Sequence, residues 1–201
     1  MPLAGETFYS APYVAKHSRL TTFFRSVLAI PHYVVLFFYA IGAAIAVFFS
    51  WFAIVITGRY PAGLYAFNAG FLRYSSRVSA YVLLLTDTYP PFGGGDEGSY
   101  PVELLIGPAK DSYSRLSAFL RFFPLIVVGI IQYVLVIVGF FVVVIAWFAI
   151  LILGTLPQGL HNAIAFVASY QSRASVYAYL LTESFPSFDG TPSEPVPAPV
   201  A

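Results

Sequence analysis

The chain has 201 residues, of which 59% are hydrophobic and 9% charged, and its ten Lys and Arg nearly cancel nine Asp and Glu to leave a net charge of +1. So few charges cannot cover a water-soluble surface, in which about a quarter of residues are charged, and no clustered basic face exists to hold nucleic acid. Cysteine is absent, which removes disulfides, thiolate nucleophiles and Cys-ligated zinc or iron–sulfur sites.

Residues 1–18 lack the basic start, apolar middle and small-residue cleavage pattern of a secretory signal, so insertion is expected to be directed by the first apolar run. From there residues 19–92 return without a gap as 115–188. The offset, 147 − 51 = 96 from Trp51 to Trp147, also carries Gly58 to Gly154, Pro61 to Pro157 and Arg77 to Arg173. The expected organisation is therefore an N-terminal segment (1–18), a membrane repeat (19–92), a Gly and acidic linker (93–114), a second repeat (115–188) and a Pro-rich tail (189–201).

Each repeat opens on a basic, aromatic stretch, Arg19, Leu20, Phe23 and Arg25 in the first and Arg115, Leu116, Phe119 and Arg121 in the second. Arg residues six apart on a helix point about 240° apart and cannot form one cationic pair. They are expected to be interface anchors, with stems on acyl chains and guanidinium groups among headgroups. Uncharged apolar runs follow, Val27 to Ile56 and Phe122 to Leu153. About thirty helical residues reach roughly 45 Å, beyond the roughly 30 Å hydrocarbon core, so part of each run must tilt, kink or leave the core. Pro31 and Pro124 place that adjustment near the N-terminal ends, with spanning portions of about Tyr33 to Ile56 and Val127 to Leu153. Trp51 and Trp147, near the far ends, are expected to be further interface anchors.

The pattern Gly-x-x-Pro-x-Gly-Leu, from Gly58 and again from Gly154, stops one helix and starts another. The second helix, about Ala62 to Leu85, carries an apolar stripe of Phe67, Phe71, Tyr74, Val78, Tyr81 and Leu85, with Ala66, Ala69, Arg73, Ser76, Arg77 and Ala80 opposite. The second copy keeps Tyr170, Ser172, Arg173, Ser175, Tyr177, Leu180 and Leu181 but replaces Arg73 with Ser169. Between the repeats, Gly93 to Gly98 reads as a flexible linker and Tyr100 to Gly107 as a short strand; the tail from Ser187 reads as disordered.

The fold class expected is an all-α integral membrane protein of two tandem repeats, each a long transmembrane helix followed by an Arg- and Tyr-bearing amphipathic helix, spanning or interfacial. Identical charge patterns should orient the two repeats alike. That favours four crossings, with the N-terminus, linker and C-terminus on the cytoplasmic side of the cell membrane. A flat second helix would instead give two crossings and inverted copies.

Arg77 and Arg173, with Arg73, are the candidate anionic-lipid headgroup site, since an intramembrane Arg is costly unless paired or hydrated. The plainer reading is structural, with the same Arg side chains bonding helix ends between the repeats. His17, His32 and His161 occupy unmatched positions and form no metal-ligand spacing. No metal or cofactor is expected, no paired axial ligands for haem appear, and no base stands ready to activate a Ser or Thr, so no catalytic residue is nominated. Asp87 and Glu183 match across copies and read as local hydrogen-bonding or ion-pair groups.

Arg-Leu-x-x-Phe-x-Arg, then Trp-Phe-Ala-Ile-x-x-x-Gly-x-x-Pro-x-Gly-Leu, then Ser-Arg-x-x-x-Tyr-x-x-Leu-Leu-Thr-Asp-x-Tyr-Pro-Pro-Phe resemble the bacterial integral-membrane family known as domain of unknown function 4389. The resemblance covers both copies and departs in the second at Ile126 to Gly129, where the first has Ile30 to Tyr33, and at Arg73. It implies a membrane protein without an assigned activity. The expected function is a non-catalytic structural or accessory module that assembles with itself or with a membrane complex; the alternative is a protein that binds or moves anionic lipid.

Overall fold

A computed structural model describes residues 3–95 and 100–188; the expectations for the end of the Gly linker and for the Pro-rich tail beyond residue 188 lie outside these. The element order is β1 (Thr7–Ser10), α1 (Arg19–Leu28), α2 (Ile30–Thr57), α3 (Ala62–Val82), β2 (Glu103–Ile106), α4 (Arg115–Phe119), α5 (Phe122–Leu153) and α6 (Gln158–Ala178). The structure is mostly helical rather than all-α, with the short strand expected within 100–107 present as β2. A second strand, β1, pairs with it.

Each element begins and ends where its chemistry requires. The hydroxyl oxygens of Ser18 and Ser114 cap α1 and α4 by accepting from the amides of Thr21 and Ser117. Pro31 sits in the first turn of α2, where its missing N–H costs nothing, so the expected kink becomes the single-residue break at Ala29. Gly58 and Gly154 end α2 and α5 in the left-handed conformation, with φ of 72° and 75°. The next helices start after Pro61 and Pro157.

At the ends of α3 and α6 the left-handed residue is a leucine, Leu84 at φ 67° and Leu180 at φ 64°. The Leu85 amide donates to the Ala80 carbonyl and the Leu84 amide to Tyr81, with Leu181 to Val176 and Leu180 to Tyr177 matching them, the bond pair that normally accompanies glycine. Leucine is tolerated because its side chain is buried, 1% exposed at Leu84 and 4% at Leu180. Apolar burial offsets the strained backbone.

Reciprocal contacts fix how the repeats dock. The Trp147 indole donates to the Thr22 carbonyl and the Trp51 indole to Ala118, and 118 − 22 = 96 makes these the same bond made in both directions. The His17 amide donates to Gly154 and the Tyr113 amide to Gly58 in the same exchanged way. Thus the start of repeat 1 lies at the C-terminal end of α5, and the start of repeat 2 at the C-terminal end of α2. Helix α2, of 28 residues, is about 42 Å long, so both contacts exist only if α2 and α5 run in opposite directions. The strands obey the same pseudo-two-fold axis: β1 and β2 are antiparallel with Thr7 opposite Ile106 and Ser10 opposite Glu103, and residues 7–10 plus 96 are 103–106. The expectation of copies oriented alike is therefore corrected: the axis runs across the helices, and the copies are antiparallel.

Three layers result. Helices α3 and α6 form the middle, α2 and α5 pack on one side of it and the β1–β2 sheet on the other. Burial follows. Ala69, Ser76, Arg77 and Ala80, read as the polar face of α3, are as buried as Tyr74 and Tyr81 on its apolar stripe, because the sheet covers one flank and α2 the other. Helices α2 and α5 stay open, and an exposed run of Phe37, Phe38, Ile41, Ile45 and Phe48 on α2 is matched by Tyr133, Ile137, Phe140, Phe141 and Ile145 on α5. Both are long and apolar enough to cross a membrane.

Truncating Leu84→Ala keeps the strained φ but removes the buried side chain, and should destabilise the protein by about 2–5 kcal/mol. Unfolding in mild detergent, with Leu83→Ala as the half-buried control, checks this.

Candidate functional site

Two clusters of charged residues stand at the two ends of the long helices. At one end Arg25 reaches under α1 to the C-terminus of α3, donating to the carbonyls of Tyr81 and Thr86 and pairing with Asp87, with its guanidinium over the Tyr81 ring. At the other, Arg121 donates to the Tyr177 and Thr182 carbonyls and lies 4.0 Å over the Tyr177 ring. A cation here faces the carbonyl end of the helix, where the dipole favours positive charge. With Arg25 only 3% and Arg121 only 4% exposed, these two are not headgroup anchors, which corrects the reading of both; they are internal caps.

Arg19 and Arg115 do remain exposed. Arg19 Nη2 donates to Ile152 at 2.9 Å, at the end of α5 in the other repeat, and Arg115 lies beside Gly58 at the end of α2. Trp51 and Trp147 are half-buried, and their indole N–H groups serve the bonds between repeats rather than headgroups.

Asp87 and Glu183 complete the two ends. Asp87 accepts from His17 Nδ1 at 2.8 Å and from the Ser18 amide at 2.7 Å. Glu183 accepts from Lys110 Nζ at 2.9 Å and from the Ser114 amide at 2.7 Å. Burial raises both carboxyls, but bonds from His17 and Ser18, with the charges of His17 and Arg25, leave Asp87 below its ordinary value. Lys110, Ser114 and Arg121 do the same for Glu183. The offset aligns His17 with Tyr113, so the further side-chain donor to each carboxylate, His17 or Lys110, comes from a different place in the two halves.

The proposed headgroup arginines are not brought together. Arg77 is buried and donates through Nη2 to the Gly95 carbonyl at 2.6 Å. Arg173 bonds Ser169 through Nε and lines a recess of about 240 Å³ with Glu6, Thr182 and Ser184, which contains neither Arg73 nor Arg77. Arg73 is half-buried on α3. Among the three histidines, His32 meets the Tyr74 hydroxyl at 2.7 Å and stacks on Phe92, and His161 meets the Ala11 carbonyl. Missed in the sequence was a row of hydroxyl and amide side chains, Ser75, Ser76 and Ser79 on α3 with Gln171, Ser172 and Ser175 on α6, which line one cavity. Their spacing of three and four was the available signal; it reads equally well as ordinary helix surface until α3 and α6 are placed side by side.

The sequence profile described as Domain of unknown function (DUF4389) matches residues 19–93 and again 115–189. The chain belongs to this family. It holds two tandem copies, and the boundaries enclose Arg25 with Asp87 and Arg121 with Glu183, so each family unit contains its own capped helix end. Neither a curated protein nor a solved structure matches the chain.

Because both carboxyls are held below their unfolded values, their contribution is complete above about pH 4 and is lost as pH falls through the lower folded values. A double variant, Asp87→Asn with Glu183→Gln, should be less stable than the parent at pH 7 and show a flatter stability profile between about pH 5 and 3, measured by thermal unfolding in detergent.

Proposed function

We propose that the protein is a non-catalytic membrane module, held in the bilayer by α2 and α5, that assembles with another copy of itself or with a larger membrane complex through its sheet side. The observation that carries this is the contrast between its two faces. The α2 and α5 face is apolar and contains no charged residue along either helix, while the exposed charges Lys16 and Arg19 lie at one end and Arg59, Asp111 and Arg115 at the other. A belt of this kind suits acyl chains, with charges at the headgroup levels.

The opposite face does not suit lipid. Strand β1 runs from Gly5, which bonds Pro108 near the repeat 2 start, to Ala11, which bonds His161 at the start of α6, so the sheet lies part-way between the two ends. Among the described residues its two strands pair only with each other, and Glu103 lies within it. Open sheet edges do not occur against hydrocarbon, because unpaired backbone groups there cost several kcal/mol each. That supports a second protein surface on the sheet side. The antiparallel docking further favours α2 and α5 crossing in opposite directions over the four-crossing arrangement that the charges suggested. Anionic-lipid binding, the second reading, keeps one observation in its favour, the Arg173 recess.

A cysteine placed at Phe8, which is exposed on the outer sheet face, should yield cross-linked dimers or a recurring cross-linked partner in native membranes. One at Ile137, on the α5 lipid face, should not. Equal cross-linking from both positions, or a monodisperse monomer that cross-links from neither, would contradict assembly through the sheet.

A further inference from the structure

The cavity on the pseudo-two-fold axis stands independently of how copies assemble, since one chain builds it. It has a volume of about 390 Å³, within the roughly 300–1,000 Å³ of small-molecule sites. Its two helical walls match position by position at the offset of 96: Leu72 with Ala168, Ser75 with Gln171, Ser76 with Ser172, and Ser79 with Ser175. The sheet contributes Tyr9 and Leu104, and the N-terminal half of α5 contributes Gly129, Gln132, Tyr133 and Val136. Helix α5 breaks the symmetry. It gives the site one open flank, where Tyr133 is also exposed on the lipid side.

The wall chemistry narrows the ligand. Hydroxyl and carboxamide groups both donate and accept, and among the described residues no charged side chain lines the cavity, so neither an anion nor a cation gains a countercharge from these walls. Two wall groups lack partners: the hydroxyl oxygens of Ser76 and Tyr9 make no hydrogen bond, although these residues are only 6% and 8% exposed. A buried polar group without a partner costs about 1–3 kcal/mol, an expense that persists most readily where a ligand supplies the missing bond. A wall rich in such groups on α3, α6, α5 and β1 fits a molecule that presents several hydroxyls in several directions.

We infer that this cavity binds an uncharged polyhydroxylated group, a sugar or polyol, carried either on a lipid that enters past α5 or as a free molecule. The shared chemistry is a ring or chain of neutral hydroxyls that exchanges hydrogen bonds with Ser76, Gln132, Gln171 and Tyr133. Anionic headgroups are disfavoured here, which separates this site from the Arg173 recess.

Native mass spectrometry of the full chain, released from polyoxyethylene detergent, tests this with three probes: a monoglucosyl diacylglycerol, methyl glucoside and phosphatidylglycerol. Retention of the glucosyl lipid assigns a lipid-borne headgroup, and retention of methyl glucoside assigns a free source. In either case Ser76→Ala and Gln171→Leu should each weaken binding about five- to tenfold, the loss expected for roughly one hydrogen bond. Tyr133→Phe, on an exposed side chain that packing does not need, should weaken it several-fold and decides the matter if the buried variants fail to fold. Binding of neither neutral probe overturns the inference. So does binding that all three substitutions leave unchanged, or retention of phosphatidylglycerol that these substitutions abolish in parallel.

Discussion

The hydrogen bonds from Trp51 to the Ala118 carbonyl and from Trp147 to the Thr22 carbonyl are one contact made twice, and the rest of the architecture depends on that exchange. Each repeat opens by docking on the far end of its sibling's long helix. The rings add to the tie, since Trp51 stacks on Phe119 and Trp147 on Phe23. Once both long helices are held head to tail in this way, α3 and α6 are brought side by side and β1 pairs with β2. A single repeat would leave the strand edge, the helix flank and the indole donor all without partners, which explains physically why two copies share one chain.

The same exchange sorts the residues into environments. At the two ends Arg25 and Arg121 face the carbonyl ends of α3 and α6, and Asp87 and Glu183 join the cap to the start of α1 and α4. One apolar face of α2 and of α5 stays exposed and needs a covering that the described residues do not supply. Between these lies the α3–α6 layer, whose serines face each other across the axis. A hydroxyl-rich cavity, uncharged among the described residues, in an apolar protein is a choice of chemistry: packing alone would be served better by Ala or Leu at those positions.

Much of this was legible in the sequence because it is local. The offset of 96, the Gly58 and Gly154 stops, the helix starts near Pro61 and Pro157, and the strand within 100–107 each follow from residue type and spacing. Strand β1 was not legible by comparison of the copies, since Thr-Phe-Tyr-Ser and Glu-Leu-Leu-Ile share no residue, and only β2 buries every second side chain, whereas β1 buries Tyr9 alone. The relative direction of the copies was hidden for a different reason. Charge counting treats every Arg near a helix start as a headgroup anchor, but Arg25 and Arg121 are internal caps, so part of the charge that argued for copies oriented alike never reaches the surface. The leucines at φ > 0 were equally hidden, because glycine is what sequence leads one to expect there.

The antiparallel, membrane-crossing arrangement of the two family units is the claim on which the others rest. Ala15 and Asp111 are equivalent positions, since 15 + 96 = 111, both are exposed, and they lie at opposite ends of the molecule beside Leu156 and near Gly58. In a chain carrying Ala15→Cys and Asp111→Cys, with no native cysteine to interfere, a membrane-impermeant thiol reagent applied to one side of sealed vesicles should attach one label per chain, whichever way each molecule was inserted. Two labels on some chains and none on others would place both ends on the same side of the bilayer and contradict the account.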